Sequence, residues 1–220
     1  MAPTLYYILA SPPVRSVLLC AKAIGVELNL KEVDVLNGQH LSPEYLKINP
    51  QHTVPVLDDD GFIVIDSHVI MTYLVSKYGE SDSLYPKDIK QRAIVDHRLH
   101  FDSSILFIRG LMISKAVIFE GAKNPEPKQL VALEEAFNIT ERFLDKNKFI
   151  AGDNLTVADF SFVTSLTSWT VFCPLDETKH PNIAAWLKRM KSLPYYLEAN
   201  QKGLDLLFEI MNQKLIENNK

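Results

Sequence analysis

The chain has 220 residues, 47% hydrophobic and 23% charged, a balance that supports a sizeable buried core and excludes a disordered chain. Its net charge of −4, with Lys and Arg scattered singly among acids, excludes a dedicated nucleic-acid or anionic-membrane binder, since both need a concentrated basic face. The longest apolar run is six residues, Leu5 to Ala10, far short of the ~20 that a membrane helix needs. No basic segment precedes it, so it does not read as a secretory signal. Cys20 and Cys173 stand far apart and in no metal-ligand spacing. They read as packed thiols of a reducing compartment, the cytosol, and no metal site is expected.

Thr4 to Leu9 is rich in β-formers and predicts a buried strand. Pro12 opens a helix with Val14, Val17, Leu18, Ala21 and Ile24 on one face, and Gly25 ends it. Leu28 to Val33 predicts a second strand. Ser42-Pro43-Glu44 reads as an N-cap with proline in the first turn, starting a short helix that stops before Asn49-Pro50. Val54 to Leu57 and Phe62 to Ile65 are short strands, and Asp60-Gly61 between them is a hairpin signal. Ser67 is expected to cap a helix that turns Ile70, Tyr73 and Leu74 inward. The order β-α-β-α-β-β-α predicts a thioredoxin-like α/β unit over residues 1–79.

A polar linker, Gly79 to Ser83, separates this from an all-α unit expected over 88–220. Residues 89 to about 119 have helical spacing, and Ile105 to Phe119 is apolar on more than one face. That fits a helix buried on all sides, or one with a face on the core and a face on a greasy cleft. Gln129 to Leu144 predicts a further helix. In Leu155-Thr156-Val157-Ala158-Asp159-Phe160, Thr156 and Asp159 have capping-box spacing and Leu155 and Phe160 can close as a staple. This marks a buried helix start, with no chemistry assigned. Pro181 opens a helix carrying Trp186 and Leu187, and Leu204 to Leu215 is a last amphipathic helix.

Three places carry residues suited to one ligand. Ser11 stands at the turn into the first helix, where a hydroxyl and a helix N-terminus would favour an anion such as a thiolate. A free thiol titrates near ~8.5, and one charge-assisted hydrogen bond of roughly 1.5–3 kcal/mol could lower that by one to two units. The plainer alternative is a helix cap. In Val54-Pro55 a proline between β-formers is compatible with a cis bond that leaves the backbone N–H and C=O of Val54 unpaired at a sheet edge, open to a peptide ligand. An ordinary edge-strand proline is the alternative. In Asp66-Ser67-His68, Ser67 can receive a carboxylate and Asp66 an α-ammonium, although the same pattern serves as a simple cap. His40 and His52 are candidate partners for a second carboxylate. Asp96, His97, His100 and Asp102 hint at a metal, but on a helix they read better as packing or surface polarity.

Ser-Pro-Pro-x-Arg near the N-terminus, Asn-Pro-Gln-His-Thr-Val-Pro-x-Leu, Asp-Ser-His at a helix start, Ser-Leu-Tyr-Pro-Lys-Asp, Leu-Thr-Val-Ala-Asp-Phe-Ser and Pro194-Tyr195-Tyr196 together resemble the cytosolic glutathione transferases. The resemblance is to the insect epsilon class first and the delta class second, and covers nearly the whole chain. It implies that Ser11 is catalytic, hydrogen-bonded to the sulfur of glutathione. It implies glutathione binding by His40, His52, Val54, a cis Pro55, Asp66, Ser67 and His68. An apolar acceptor site would be lined by Ala10, Phe107, Leu111, Ile118, Phe119 and Leu206. Leu111 stands where several epsilon members carry Arg, which makes the expected pocket less polar there.

Glutathione is then a co-substrate and no other cofactor is implied. The expected reaction conjugates it to small hydrophobic electrophiles, such as xenobiotics or lipid-peroxidation products. A cytosolic homodimer is implied. A non-catalytic carrier of apolar ligands is the alternative. A thiol oxidoreductase would need cysteine in place of Ser11.

Overall fold

The computed structural model describes residues 2–220. Four short strands, β1 (Thr4–Tyr7), β2 (Asn29–Glu32), β3 (Val56–Asp59) and β4 (Phe62–Ile65), form one sheet in the order β2-β1-β3-β4. β1 and β2 are parallel, and a parallel pair needs a crossover, which α1 (Pro12–Ala23) provides. The chain leaves α1 through Gly25 at φ 69°, a backbone setting that suits glycine. β3 runs antiparallel to both β1 and β4. Its turn into β4 is the expected two-residue hairpin, with Asp60 at φ 56° and Gly61 at φ 86° closed by the pair Asp59–Phe62.

Two short helices complete this half: α2 (Pro43–Ile48), capped as expected by the Ser42 hydroxyl accepting from Tyr45 N–H, and α3 (Ser67–Tyr78). The rest is helical: α4 (Ile89–Phe101), α5 (Phe107–Phe119), α6 (Pro127–Phe143), α7 (Val157–Trp169), α8 (Pro181–Lys191) and α9 (Lys202–Asn218). A thioredoxin-like mixed sheet followed by an all-helical half is the fold class expected from the sequence. No helix among the described residues is long and apolar enough to cross a membrane.

α7 is the spine of the helical half, every residue of it buried. Its polar residues are tolerated there because Thr164, Thr167 and Ser168 return their hydroxyls to backbone carbonyls one turn back. The capping box expected at the start of α7 is present. Asp159 accepts from the N–H groups of Thr156 at 2.9 Å and Ile150 at 2.8 Å, and from Trp186 Nε1 at 2.9 Å.

α1 lies between α3 and α7 and so joins the sheet to the helical half. Its Arg15 is buried and donates to Asn200 Oδ1 and to Ser168 Oγ. No carboxylate pairs with it among the described residues, and burial lowers its pKa to about 9, still charged at neutral pH.

Four expectations are corrected. β1 stops at Tyr7, before the turn into α1, and β3 begins only at Val56, after the turn at Pro55. β3 is an interior strand, so Val54 sits at the strand's entrance and not on a sheet edge. The cap of α3 is Asp66, whose Oδ1 accepts from His68 and Val69 N–H, and Ser67 is the first helical residue. Between α4 and α5 the backbone widens into a π turn, Asp102–Leu106, and a second one, Leu197–Gln201, precedes α9.

Candidate functional site

One cleft of about 950 Å³ opens between the ends of the sheet strands and helices α5, α7 and α9. Ser11 lines it, at the N-cap position of α1 with extended backbone. Pro12 and Pro13 fill the first turn and have no N–H to offer, so this helix end presents fewer donors than a helix start usually does. The Ser11 hydroxyl makes no capping hydrogen bond. The simple cap therefore fails as an account of Ser11, and its hydroxyl is free on the cleft wall.

Val54 and Pro55 line the same cleft, and the bond between them is cis. Neither the N–H nor the C=O of Val54 finds a partner among the described residues. The loop before it is shaped by buried Asn49, whose Nδ2 donates to Thr53 O at 2.9 Å and whose Oδ1 accepts from Gln51 N–H. Tyr45 Oη donates to Thr53 O at 2.7 Å. The loop thereby holds His52 at φ 49° and brings its ring to 6.1 Å from that of His40. Both histidines line the cleft, and His40 is held below its ordinary pKa by burial and then by His52.

Asp66, Ser67 and His68 also line it. Asp66 has φ 77°, a strained setting for a residue with a Cβ, and functional sites collect such strain. His68 Nε2 lies 2.6 Å from Ser161 Oγ and 3.2 Å from Asp102 Oδ2. Asp102 is buried, accepts also from Ser161 and Ser165, and keeps Oδ1 without a partner. Of the two sequence readings of Asp102, surface polarity fails and packing stands. It is a buried carboxylate at the cleft and the first residue of the π turn, a feature that helical spacing does not show. Among the described residues no group of three or more His, Cys, Asp or Glu is placed to hold a metal ion.

The apolar part of the lining includes Ala10, Phe107, Leu111, Ile118 and Phe119. Leu206 is not part of it. α9 turns Leu207 and Ile210 to the cleft and leaves Leu206 36% exposed, because adjacent helical residues point about 100° apart. Ile8, Val35, Leu36, Leu41 and Trp169 add to the apolar surface.

Residues 5–82 match the family described as glutathione S-transferase, N-terminal domain, and residues 94–194 match glutathione S-transferase, C-terminal domain. Glutathione S-transferase 1 of Manduca sexta is 45% identical over 98% of this chain and 100% of its own. The solved structure of an epsilon-class glutathione S-transferase from the housefly, Musca domestica, is 47% identical, with a TM-score of 0.95 over 96% of this chain and 98% of that one. A glutathione transferase homologue from Drosophila mojavensis, solved with bound glutathione, is 43% identical, with a TM-score of 0.94 over 96% and 97% of the two chains. The chain belongs to the glutathione S-transferase family.

Proposed function

From this family membership, we propose that the cleft binds reduced glutathione at its polar side and conjugates it to small hydrophobic electrophiles, with Ser11 holding the thiolate. The observation that carries the proposal is the Ser11 hydroxyl, placed at a helix start yet unused as a cap. The hydroxyl donates to the sulfur, which favours the thiolate over the thiol. The thiol proton leaves to solvent, the sulfur pair attacks an electrophilic carbon, and a C–S bond forms. A halide departs with the bonding pair, or an activated alkene takes up a proton from water. Holding the thiolate beside a bound acceptor supplies the proximity part of the acceleration.

The free backbone N–H and C=O of Val54 at the entrance to β3 pair with the main chain of the cysteinyl unit. Asp66, Ser67 and Asp102 suit an α-amino acid end, and His40 and His52 suit the other carboxylate. The apolar wall from Phe107 to Phe119 and Leu207 to Ile210 takes the acceptor, which here includes xenobiotics and lipid-peroxidation products. Residues 1–79 form the glutathione-binding unit and 88–220 the helical unit in this reading. A cytosolic homodimer accompanies it, and the exposed apolar side chains Phe62, Val69 and Ile94 on β4, α3 and α4 support a second copy.

The test is Ser11→Ala, followed by ultraviolet titration of the bound thiolate. The expected result is a thiol pKa raised by about one to two units, conjugation at neutral pH reduced roughly 10- to 100-fold, and glutathione still bound. An unaltered thiol pKa would remove Ser11 from the mechanism. A parent protein inactive toward halogenated aromatics, unsaturated aldehydes and hydroperoxides would favour the carrier instead.

A further inference from the structure

The charged and titratable residues on the cleft lining divide unevenly. His40, His52, Asp66, His68 and Asp102 gather where the strand ends meet the π turn. Lys115 stands apart from them on α5, on the same helix as Leu111, Ile118 and Phe119. It is the one charged side chain that α5, α7 or α9 contributes to the lining among the described residues.

Three features make it available to a ligand. Lys115 Nζ is 3.9 Å from Glu120 Oε1, beyond hydrogen-bond distance, and both side chains are 59% exposed, so the pair is loose. All three ammonium donors remain open. Next to it, Ser114 also lines the cleft, and its hydroxyl finds no partner among the described residues. The protein carries a net charge of −4, so no general positive field draws anions in, and this local cation is what an anionic group would meet.

We propose that Lys115, with Ser114 beside it, selects acceptors that pair an apolar electrophilic body with a carboxylate. The apolar body packs on Leu111, Ile118 and Phe119 while the carboxylate meets the ammonium at the cleft wall. This rests on the reading of the cleft as a thiol-transfer site. For a benzylic chloride acceptor, the thiolate sulfur forms a bond to the benzylic carbon as the C–Cl bond breaks and chloride leaves with its electrons. The carboxylate takes no part in bond making and acts only through binding, so its effect falls on KM.

The experiment compares 4-(chloromethyl)benzoate with its methyl ester as acceptors, at saturating glutathione, in the parent and in Lys115→Met, Lys115→Glu and Glu120→Gln. The readout is the ratio of kcat/KM for the acid to that for the ester, so each variant carries its own reference for folding and chemistry. The ratio is expected to fall about three- to five-fold in Lys115→Met, the scale of an exposed charge pair, and further in Lys115→Glu. Glu120→Gln is expected to raise it, and 0.5 M salt to shrink the parent's preference. A ratio that does not move across the three variants, while the ester is still turned over, overturns the inference and leaves thiol transfer standing. No turnover of either acceptor by the parent overturns the inference, and inactivity toward unsaturated aldehydes and hydroperoxides as well overturns thiol transfer.

Discussion

His68 Nε2 meets Asp102 Oδ2 at 3.2 Å across 34 residues of chain, tying the start of α3 to the π turn between α4 and α5. The same carboxylate oxygen accepts from Ser161 at 2.5 Å and from Ser165 at 3.2 Å, so Asp102 clamps α3, the π turn and α7 together beside the cleft. Asp102→Ala leaves His68 and both serines without their common partner. Charge-assisted hydrogen bonds contribute roughly 1.5–3 kcal/mol each, so glutathione affinity is expected to fall about 10-fold or more, with a smaller loss in Asp102→Asn. Calorimetric titration with glutathione measures this. Unaltered affinity in Asp102→Ala would mean that the clamp serves folding alone.

Asp159 carries a pH-dependent part of the stability. Burial pushes its carboxyl up to about 6, against the opposing hydrogen bonds from Ile150, Thr156 and Trp186. In the unfolded chain the same group titrates near ~3.9, so between about pH 4 and 6 the folded state holds more protons. This group's contribution is therefore fully favourable below about pH 4, declines as pH rises through 6, and is level above that. The stability difference between the parent and Asp159→Asn is expected to narrow from pH 4.5 to pH 7.5 in denaturant titrations. Asp159→Ala leaves Trp186 Nε1 and two buried N–H groups unpaired, a loss of about 3–5 kcal/mol near pH 4.5 that shrinks as pH rises through 6.

Local signals were legible where a few adjacent residues decide the outcome. The Asp60-Gly61 hairpin, the Ser42 cap and the Thr156–Asp159 capping box each depend on short-range hydrogen bonds, and the structure holds all three. The cleft residues of the first half were legible because the resemblance carried them in motifs. Asp102 was not, because its importance comes from Ser161 and His68, which reach it from distant parts of the chain. The cap of α3 was misplaced by one residue because Asp66 and Ser67 are both good caps, and the turn out of β4 decides between them. Leu206 came from the resemblance and not from helical spacing, and the structure turns its neighbour Leu207 to the cleft instead, because adjacent helical residues point about 100° apart.

Gly203 lies where α9 crosses the loop after β1. A Cβ there would run into the backbone carbonyl of Leu9 and the side chain of Arg15, and the carbonyl has no room to yield. Gly203→Ala is expected to cost about 1–3 kcal/mol, or roughly 2–10 °C in Tm for a chain of this size. Relief of the clash would shift α9 away from Leu9, two residues before Ser11. Acceptor KM is then expected to rise more than glutathione KM, because α9 lines the cleft through Leu207 and Ile210. Equal increases in both would mean that α9 does not move as a unit.

The orientation of α9 makes its own prediction about the acceptor. Ile210 is half-buried on the cleft and Leu206 faces solvent, although both belong to the same apolar stretch. Removing three carbons from a surface that packs on an apolar acceptor loses up to about 0.8 kcal/mol per methylene in contact. With partial contact, Ile210→Ala is expected to raise KM for a hydrophobic acceptor about five-fold, with glutathione KM within error of the parent. Leu206→Ala, a surface change, is expected within ±0.5 kcal/mol in stability and about two-fold in KM. A larger acceptor effect from Leu206 than from Ile210 in steady-state kinetics would show that α9 presents a different face to the bound acceptor, and would restore Leu206 to the site at the expense of its neighbour.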